Sequence, residues 1–283
     1  MIVAATGWDQ VFDFSDYGEL LGLVRNSLIV GAVLGVVAGL ISVMVMARDL
    51  PFAVHGISEL SFAGAAAALL LGINVVAGSI VGSLIAATLI GALGARARDR
   101  NSIIGVLMPF GLGLGVLFLA LYKGRSTNKF GLLTGQIVSI DTPQMSWLLT
   151  ISAIVLVALA LVWRPLWFAS IDPEVAAARG VPVRALSPSF MLILGLTIAM
   201  SIQIVGALLV LSIVCTPAAA AMRVTAAPLL TVVLSVSFAV VSVVGGILLA
   251  LGGSLPISPY ITSLSFLIYV VCRVVGAARL PAR

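Results

Sequence analysis

Long runs of apolar residues alternate with short clusters of polar residues, glycine and proline from about residue 25 onward. A membrane-spanning helix needs about 20 mainly apolar residues. Reading the runs at that length predicts an all-α, polytopic transmembrane bundle of about nine spans, with eight as the alternative. The predicted spans lie near 26–46, 51–72, 73–95, 102–122, 146–163, 189–203, 204–222, 226–251 and 258–276.

The number of spans depends on one stretch, SFMLILGLTIAMSIQIVGALLVLSIVCTPAAAAMR, which is long for one helix and short for two. Pro217 lacks a backbone donor, so we expect it to break the second half of this stretch. Broken helices are tolerated in a membrane only where protein or a cavity satisfies the freed backbone groups. Any break here is therefore expected to lie inside the bundle.

The composition supports a membrane protein and excludes several soluble classes. Of the 283 residues, 61% are hydrophobic and 9% are charged, whereas soluble domains carry about 25% charged residues. The net charge of +5 comes from basic residues at the ends of spans, so it does not indicate binding to nucleic acid. Cys215 and Cys272 lie in apolar runs without metal-finger spacing, so we expect neither a zinc finger nor a structural disulfide.

The distribution of lysine and arginine predicts the orientation of the chain. With nine spans, one side carries Arg48, Arg96, Arg98, Arg100, Arg164, Arg179, Arg184, Arg223, Arg273, Arg279 and Arg283, and the other carries Arg25, Lys123, Arg125 and Lys129. Loops rich in lysine and arginine stay in the cytoplasm. We therefore expect an extracytoplasmic segment over 1–24, a transmembrane domain over 25–276 and a cytoplasmic tail over 277–283. The N-terminus, which has no basic start, is not expected to be a signal peptide.

The second predicted span contains the single histidine of the chain, His55, and a carboxylate four residues later, Glu59. Residues at i and i+4 share one face of a helix. Ionisable residues inside a membrane cost about 2.5–3.5 kcal/mol on insertion scales and usually mark a functional site. An imidazole with a carboxylate suits Zn²⁺ and can also hold Mn²⁺ or Fe²⁺. The alternatives are a proton relay and a polar pair that joins two helices.

A second candidate element lies in the predicted cytoplasmic loop at 171–186. Asp172 is a good N-cap, Pro173 suits the first helical position, and Glu174 complements the positive end of a helix. Gly180 follows Arg179 and is expected to end the helix. The loop is interpreted either as a solvated surface helix or as a docking site for a cytoplasmic partner.

Three stretches resemble the membrane subunit of bacterial metal-uptake ABC transporters, the zinc/manganese/iron-chelate permease family. They are the loop IDPEVAAARGVPVRAL, the later segment LTIAMSIQIVGALLVLSIVCTPAAAAMR and the central stretch KFGLLTGQIVSI. The resemblance runs from about Leu21 to Val275. Members of this family carry the Asp-Pro-Glu loop followed by a Val-Gly-x-Leu-Leu-Val…Pro-Ala-x-x-Ala segment.

The resemblance also implies a metal site. The family motif Gly-Asp-Ala-Leu-Ser-His-Ala-x-Leu-Pro-Gly, aligned on Gly64, places Ser58 on the family serine. It places His55 on the family aspartate and Glu59 on the family histidine, so the two ligand types exchange places. Ser58 is therefore included as a candidate metal ligand, and Asp172, Pro173, Glu174, Arg179 and Gly180 as candidate ATPase-coupling residues.

The implied function is that of the permease of a homodimeric ABC importer in the bacterial cell membrane. Its cargo would be a divalent metal, with zinc first and manganese or iron as alternatives, and no permanently bound cofactor is expected. The chain has no Gly-x-x-x-x-Gly-Lys-Ser/Thr phosphate loop, so it is not an enzyme and needs a separate ATPase. An extracytoplasmic metal-binding lipoprotein would deliver the metal, and Gln136 and Asp141 are candidates for meeting it. The rival functions are an ion-coupled transporter or channel that uses the His55/Glu59 pair as a proton relay, and a membrane scaffold.

Overall fold

The helices were located in a computed structural model, which describes residues 17–93, 97–124, 131–133, 135, 142–252 and 256–279. Over these residues the chain is built from α-helices packed into one bundle. The helices are α1 (Tyr17–Leu23), α2 (Arg25–Ala47), α3 (Pro51–Leu71), α4 (Val75–Leu93), α5 (Ala97–Leu121), α6 (Thr142–Ile171), α7 (Pro173–Ala178), α8 (Val183–Val205), α9 (Val210–Val214), α10 (Thr216–Val224), α11 (Pro228–Ala250) and α12 (Ile257–Arg279).

Eight helices in the described ranges are long and apolar enough to cross a membrane. They confirm the predicted polytopic bundle, and their number is the eight given as the alternative to nine. Two of the predicted spans were too short. The span expected at 146–163 is the 30-residue α6, which continues through Pro165, and the span expected at 189–203 is α8, which contains Pro188. The span expected at 204–222 is instead a short 3₁₀ turn followed by α9 and α10.

The break between α9 and α10 occurs at Cys215, two residues before Pro217, as the proline predicts. Ser42 on α2 hydrogen-bonds to two backbone groups at the break. Its hydroxyl donates to the carbonyl of Cys215 at 3.2 Å and accepts the amide of Ala218 at 3.1 Å. Because Ser42 is fully buried, these hydrogen bonds pair backbone groups that lie in the apolar interior.

A second break, at Gly206, separates α8 from the segment that follows. Gly206 has a φ of 84°, and a Cβ on it would overlap the carbonyl of Leu133. Gly135, with a φ of 82°, approaches the carbonyl of Ile204 equally closely. Glycine is required at both positions because a side chain would be strained and would separate the two segments. Leu133 and Gly135 therefore lie directly against the end of α8.

Glycines also set the position of α3, the helix that carries His55 and Glu59. On one side, Gly64 of α3 lies against Gly78 and Gly82 of α4, so close that no Cβ fits at any of the three positions. On the other side, Gly111 of α5 lies against the backbone at Glu59 and Leu60. Close backbone approach through small residues is typical of helix packing in membranes.

The contacts place many of the basic residues at one end of the bundle. Arg48, at the end of α2, donates to the hydroxyl of Ser170 at 3.3 Å, and Arg100, near the start of α5, donates to the carbonyl of Asp49 at 3.4 Å. Helix α11 runs antiparallel to α2, so Arg223, just before α11, lies at this same end. We refer to it as the basic end, and its cytoplasmic location remains a prediction of the positive-inside rule.

Thiol labelling tests this orientation. In a background with Cys215→Ala and Cys272→Ala, a cysteine replacing Lys123 is expected to react with a membrane-impermeant maleimide in intact cells. A cysteine replacing Ala178 is expected to react only after the cells are opened. Both native side chains are exposed, so a difference in labelling measures sidedness and not burial. The reverse pattern would place the basic end outside and exclude α7 as an ATPase contact.

Candidate metal site and docking helix

His55 and Glu59 lie on the part of α3 nearest the basic end. Glu59 is the ninth residue of the helix, about 12 Å along its axis at 1.5 Å per residue, which is well inside a hydrocarbon layer about 30 Å thick. The Glu59 side chain is 5% exposed and that of His55 is 34% exposed. The carboxylate is thus enclosed by protein, while the imidazole reaches the edge of the packed region.

The two side chains face each other without forming a hydrogen bond. His55 Nδ1 and Glu59 Oε1 are 3.9 Å apart, and neither His55 Nδ1 nor Glu59 Oε2 has a hydrogen-bond partner. Ligand distances to Zn²⁺ are about 2.1 Å, so a 3.9 Å gap allows a single cation to contact both side chains. Buried polar atoms are normally paired. Two unpaired atoms on adjoining side chains therefore favour a bound cation over a closed helix-joining pair.

Ser58 lies beside the pair but its hydroxyl proton is already engaged. Its Oγ donates to the carbonyl of His55 at 2.8 Å, and the residue is fully buried. The hydroxyl oxygen keeps a lone pair, so a ligand role for Ser58 stays a prediction. In the described part of the chain, no group of three or more His, Cys, Asp or Glu side chains is arranged to hold a metal. The pair alone offers two candidate ligands, fewer than the four that a zinc site usually has.

A cavity of about 370 Å³ lies at the opposite end of α3, away from the pair. It is lined by Leu69, Asn74, Val75, Val76, Gly131, Leu132, Pro143, Gln144, Trp147, Ile202 and Gln203. Asn74 Oδ1 accepts the amide of Ala77 at 3.1 Å, which accounts for its polar side chain as a cap for α4. Gln203 is 8% exposed, and its Nε2 has no hydrogen-bond partner in the described structure. The cavity therefore has polar side chains on the predicted outer side. Gln136 and Asp141, which the sequence suggested for contact with the delivery protein, lie outside the described residues.

Helix α7, the candidate docking element, has the capped form that the sequence predicts. Helix α7 covers Pro173–Ala178, and Asp172 Oδ1 accepts the amides of Glu174 and Val175 at 3.1 and 3.0 Å. Gly180 has a φ of 81° and ends the element. Glu174 is exposed. A capped helix with an exposed carboxylate at the basic end is available to a partner protein.

Arg48 connects the neighbourhood of α7 to the start of α3, which the sequence alone did not indicate. Its guanidinium donates to Ser170, two residues before the Asp172 cap, and lies 5.8 Å from the ring centroid of Phe190 on α8. Arg48 belongs to the turn that leads directly into α3. The sequence shows only that Arg48 lies between two apolar runs. Arginine is common at the ends of membrane helices, so this position does not indicate the contact.

Comparison with known proteins finds similarity to ABC transporter permeases across nearly the whole chain. The model of the ABC 3 transport family matches residues 21–276. The manganese import system permease protein ScaB of Streptococcus parasanguinis is 30% identical over 213 residues, covering 75% of this chain and 76% of its own. The manganese transport system membrane protein MntC of Halalkalibacterium halodurans is 26% identical over 241 residues, covering 85% and 80%.

Solved structures agree with the fold. PsaBC from Streptococcus pneumoniae in complex with Fab superposes with a TM-score of 0.81 at 25% identity, covering 92% of this chain and 95% of that one. A metal-chelate type ABC transporter in an inward-facing conformation superposes with a TM-score of 0.69 at 18% identity, which shows a shared fold. With eight apolar helices in the described ranges, the chain is a multi-pass protein of the bacterial plasma membrane. It belongs to the ABC 3 transport family, whose members are the non-catalytic membrane permeases of ABC transporters.

Proposed function

We propose that this chain forms the translocation path of an ABC importer for divalent metal, with manganese as the main cargo. The main support is the His55/Glu59 pair on a membrane helix. His55 Nδ1 lies 3.9 Å from Glu59 Oε1, and both His55 Nδ1 and Glu59 Oε2 are buried without a hydrogen-bond partner. Zinc was the first expectation from an imidazole beside a carboxylate. The names of the relatives favour manganese, which nitrogen and oxygen ligands also accommodate.

The remaining parts of the importer are proposed from the same features. A separate ATPase would dock on α7 and the adjoining residues 171–186. A metal-binding lipoprotein would deliver the cation at the outer side, near the cavity lined by Gln203. A second copy of the chain, related by two-fold symmetry, would supply the ligands that one protomer lacks. Binding and hydrolysis of ATP would move α7 and open the path to one side at a time.

Reconstitution distinguishes this function from a proton-coupled transporter. The permease, its ATPase and its binding protein are placed in liposomes, and uptake of ⁵⁴Mn and ⁶⁵Zn is followed with ATP or with an imposed pH gradient. We expect ⁵⁴Mn uptake that requires ATP and the binding protein and is inhibited by excess unlabelled Mn²⁺. Uptake driven by the pH gradient without ATP would contradict the importer and support the proton relay.

Charge reversal on α7 is expected to uncouple ATP hydrolysis from transport. Glu174→Lys changes an exposed side chain that makes no contact needed by the helix, and Asp172→Lys removes the cap as well. Both should abolish metal-stimulated ATP hydrolysis and reduce co-purification of the ATPase. The permease itself should stay folded because a lost cap costs only about 1 kcal/mol.

Two milder variants serve as controls for this experiment. Asp172→Asn keeps a side chain that caps as well as aspartate, and Glu174→Gln keeps the size of the native residue. We expect both to retain the ATPase. Normal coupling in both lysine variants would remove α7 from the interface.

A further inference from the structure

Two arginines and one tyrosine meet at the basic end of the bundle, away from α7. Arg223, in the last turn of α10, places Nη2 3.4 Å from the phenol oxygen of Tyr269 on α12, with its Cζ 6.0 Å from the ring centroid. Arg273, four residues after Tyr269, places Nη1 3.3 Å from the same oxygen. Gly276 allows this approach, because a Cβ there would overlap the carbonyl of Arg223.

This cluster contains hydrogen-bond donors in excess of acceptors. Each guanidinium has five N–H donors and no acceptor, and the phenol that receives one N–H from each arginine still has its own O–H to donate. Among the described residues the one ion pair joins His55 to Glu59, so neither arginine has a carboxylate within 4.0 Å. Two positive charges thus converge on one neutral oxygen, and no carboxylate of the described residues balances them.

A purely structural role explains only part of this arrangement. A basic residue in the last turn of a helix is favoured by the helix dipole, which accounts for Arg223 on α10. The dipole of α10 does not account for a second guanidinium, from α12, on the same phenol. Like charges placed this close repel each other. An anion that accepts from both arginines and from Tyr269 would remove the repulsion and use the spare donors.

The apolar surface beside the cluster indicates which class of anion would fit there. Phe266, Val270 and Val274 follow one another at intervals of four residues on the adjoining face of α12, and they expose 63%, 37% and 64% of their surface. A basic cluster at the end of a membrane helix, flanked by an apolar face, matches an anionic lipid with its headgroup and acyl chains. A soluble phosphate would make no use of this face, and a protein carboxylate would not need it.

We propose that Arg223, Arg273 and Tyr269 bind the phosphate of an anionic phospholipid, whose acyl chains run from there toward the middle of the membrane past Val270 and Phe266. The headgroup phosphate accepts N–H groups from both guanidiniums and the O–H of Tyr269. The site is separate from the metal pair and from α7, so it does not depend on the transported ion.

Lipid binding to the purified full-length permease tests the site. Native mass spectrometry measures the retention of phosphatidylglycerol against phosphatidylcholine, and thermal unfolding is followed in nanodiscs of each lipid. We expect selective retention of phosphatidylglycerol and a higher Tm in its presence. Arg273→Gln and Arg223→Gln should each weaken phosphatidylglycerol binding about five-fold, the effect of one basic residue near an anionic surface. Tyr269→Phe, which keeps the ring, should weaken it as well.

Controls separate this site from its alternatives. Arg184→Gln removes an exposed arginine from a different helix and should leave lipid retention unchanged. Inorganic phosphate at millimolar concentration should not displace the lipid, and displacement would replace the lipid proposal with a soluble phosphate ligand. An equal loss of lipid in Arg184→Gln would reduce the effect to general surface charge and overturn the site. Unchanged lipid binding with loss of the ATPase in Arg273→Gln would overturn it in favour of a protein contact.

Discussion

Alanine at either His55 or Glu59 is expected to lower metal uptake at least about 100-fold, since removing even groups that only support metal ligands costs 10–100-fold. In the proposed site the pair supplies two metal ligands inside the membrane, and each side chain has a buried atom without a hydrogen-bond partner. Uptake is measured with ⁵⁴Mn in reconstituted liposomes. Co-purification of the ATPase and the size of the assembled complex are expected to remain normal.

Substitutions that keep the shape or the ligand type of a side chain should lower metal uptake by different amounts. Glu59→Gln keeps the shape of the side chain but loses its charge, so we expect it to fail nearly as badly as alanine. The exchange His55→Asp with Glu59→His restores the order of ligands found in the family motif and should recover part of the uptake. Ser61→Ala is the matched control, because Ser61 is a buried polar residue of α3 that hydrogen-bonds to Ser79 on α4. Uptake at the wild-type level in both alanine variants would mean that the pair only joins helices.

Valine at Gly82 is expected to prevent the permease from accumulating in a folded form. A Cβ at this position would overlap the carbonyl of Leu60 and lie 3.2 Å from the Cα of Gly64. Both contacts are with backbone atoms, so rotation of a side chain cannot relieve the overlap. Overpacking normally costs about 1–3 kcal/mol where side chains can move, and we expect the cost here to be above that range. The yield and Tm of monodisperse protein, measured by size-exclusion chromatography and thermal unfolding, report the loss.

A glycine with free space provides the control. A Cβ on Gly105 of α5 would meet no atom within 4 Å, so Gly105→Val should express and unfold like the wild type. If Gly82→Val behaved in the same way, close packing of α3 on α4 would not be needed for stability. The metal prediction would remain, because it rests on His55 and Glu59 and not on this contact.

Much of the fold could be predicted because its determinants are local. Apolar runs of the right length gave most of the spans, Pro217 indicated the break near Cys215, and Asp172 with Gly180 marked the ends of α7. Each of these signals depends on neighbours within a few residues, so the sequence alone contains them. The extent predicted for α6, 146–163, was too short, because the helix begins at Thr142 and continues six residues beyond Pro165.

The features that the sequence did not indicate all depend on residues far apart in the chain. Ser42 satisfies backbone atoms of Cys215 and Ala218, more than 170 positions away. Gly206 is one of 28 glycines, and its close contact with the carbonyl of Leu133 is visible only in the folded chain. At the candidate site, the spacing of His55 and Glu59 predicted a shared face, but the unpaired state of their buried atoms required the packed structure.

The break at Cys215 also has a consequence for how the protein is made. The apolar segment 210–224 is 15 residues long, shorter than the roughly 20 residues that span a bilayer unaided. The carbonyl of Cys215 and the amide of Ala218 hydrogen-bond to Ser42, a residue of α2 that is synthesised much earlier. During biosynthesis this segment therefore cannot partition into lipid alone as it leaves the ribosome. We expect the segment to take its place in the membrane by packing against α2.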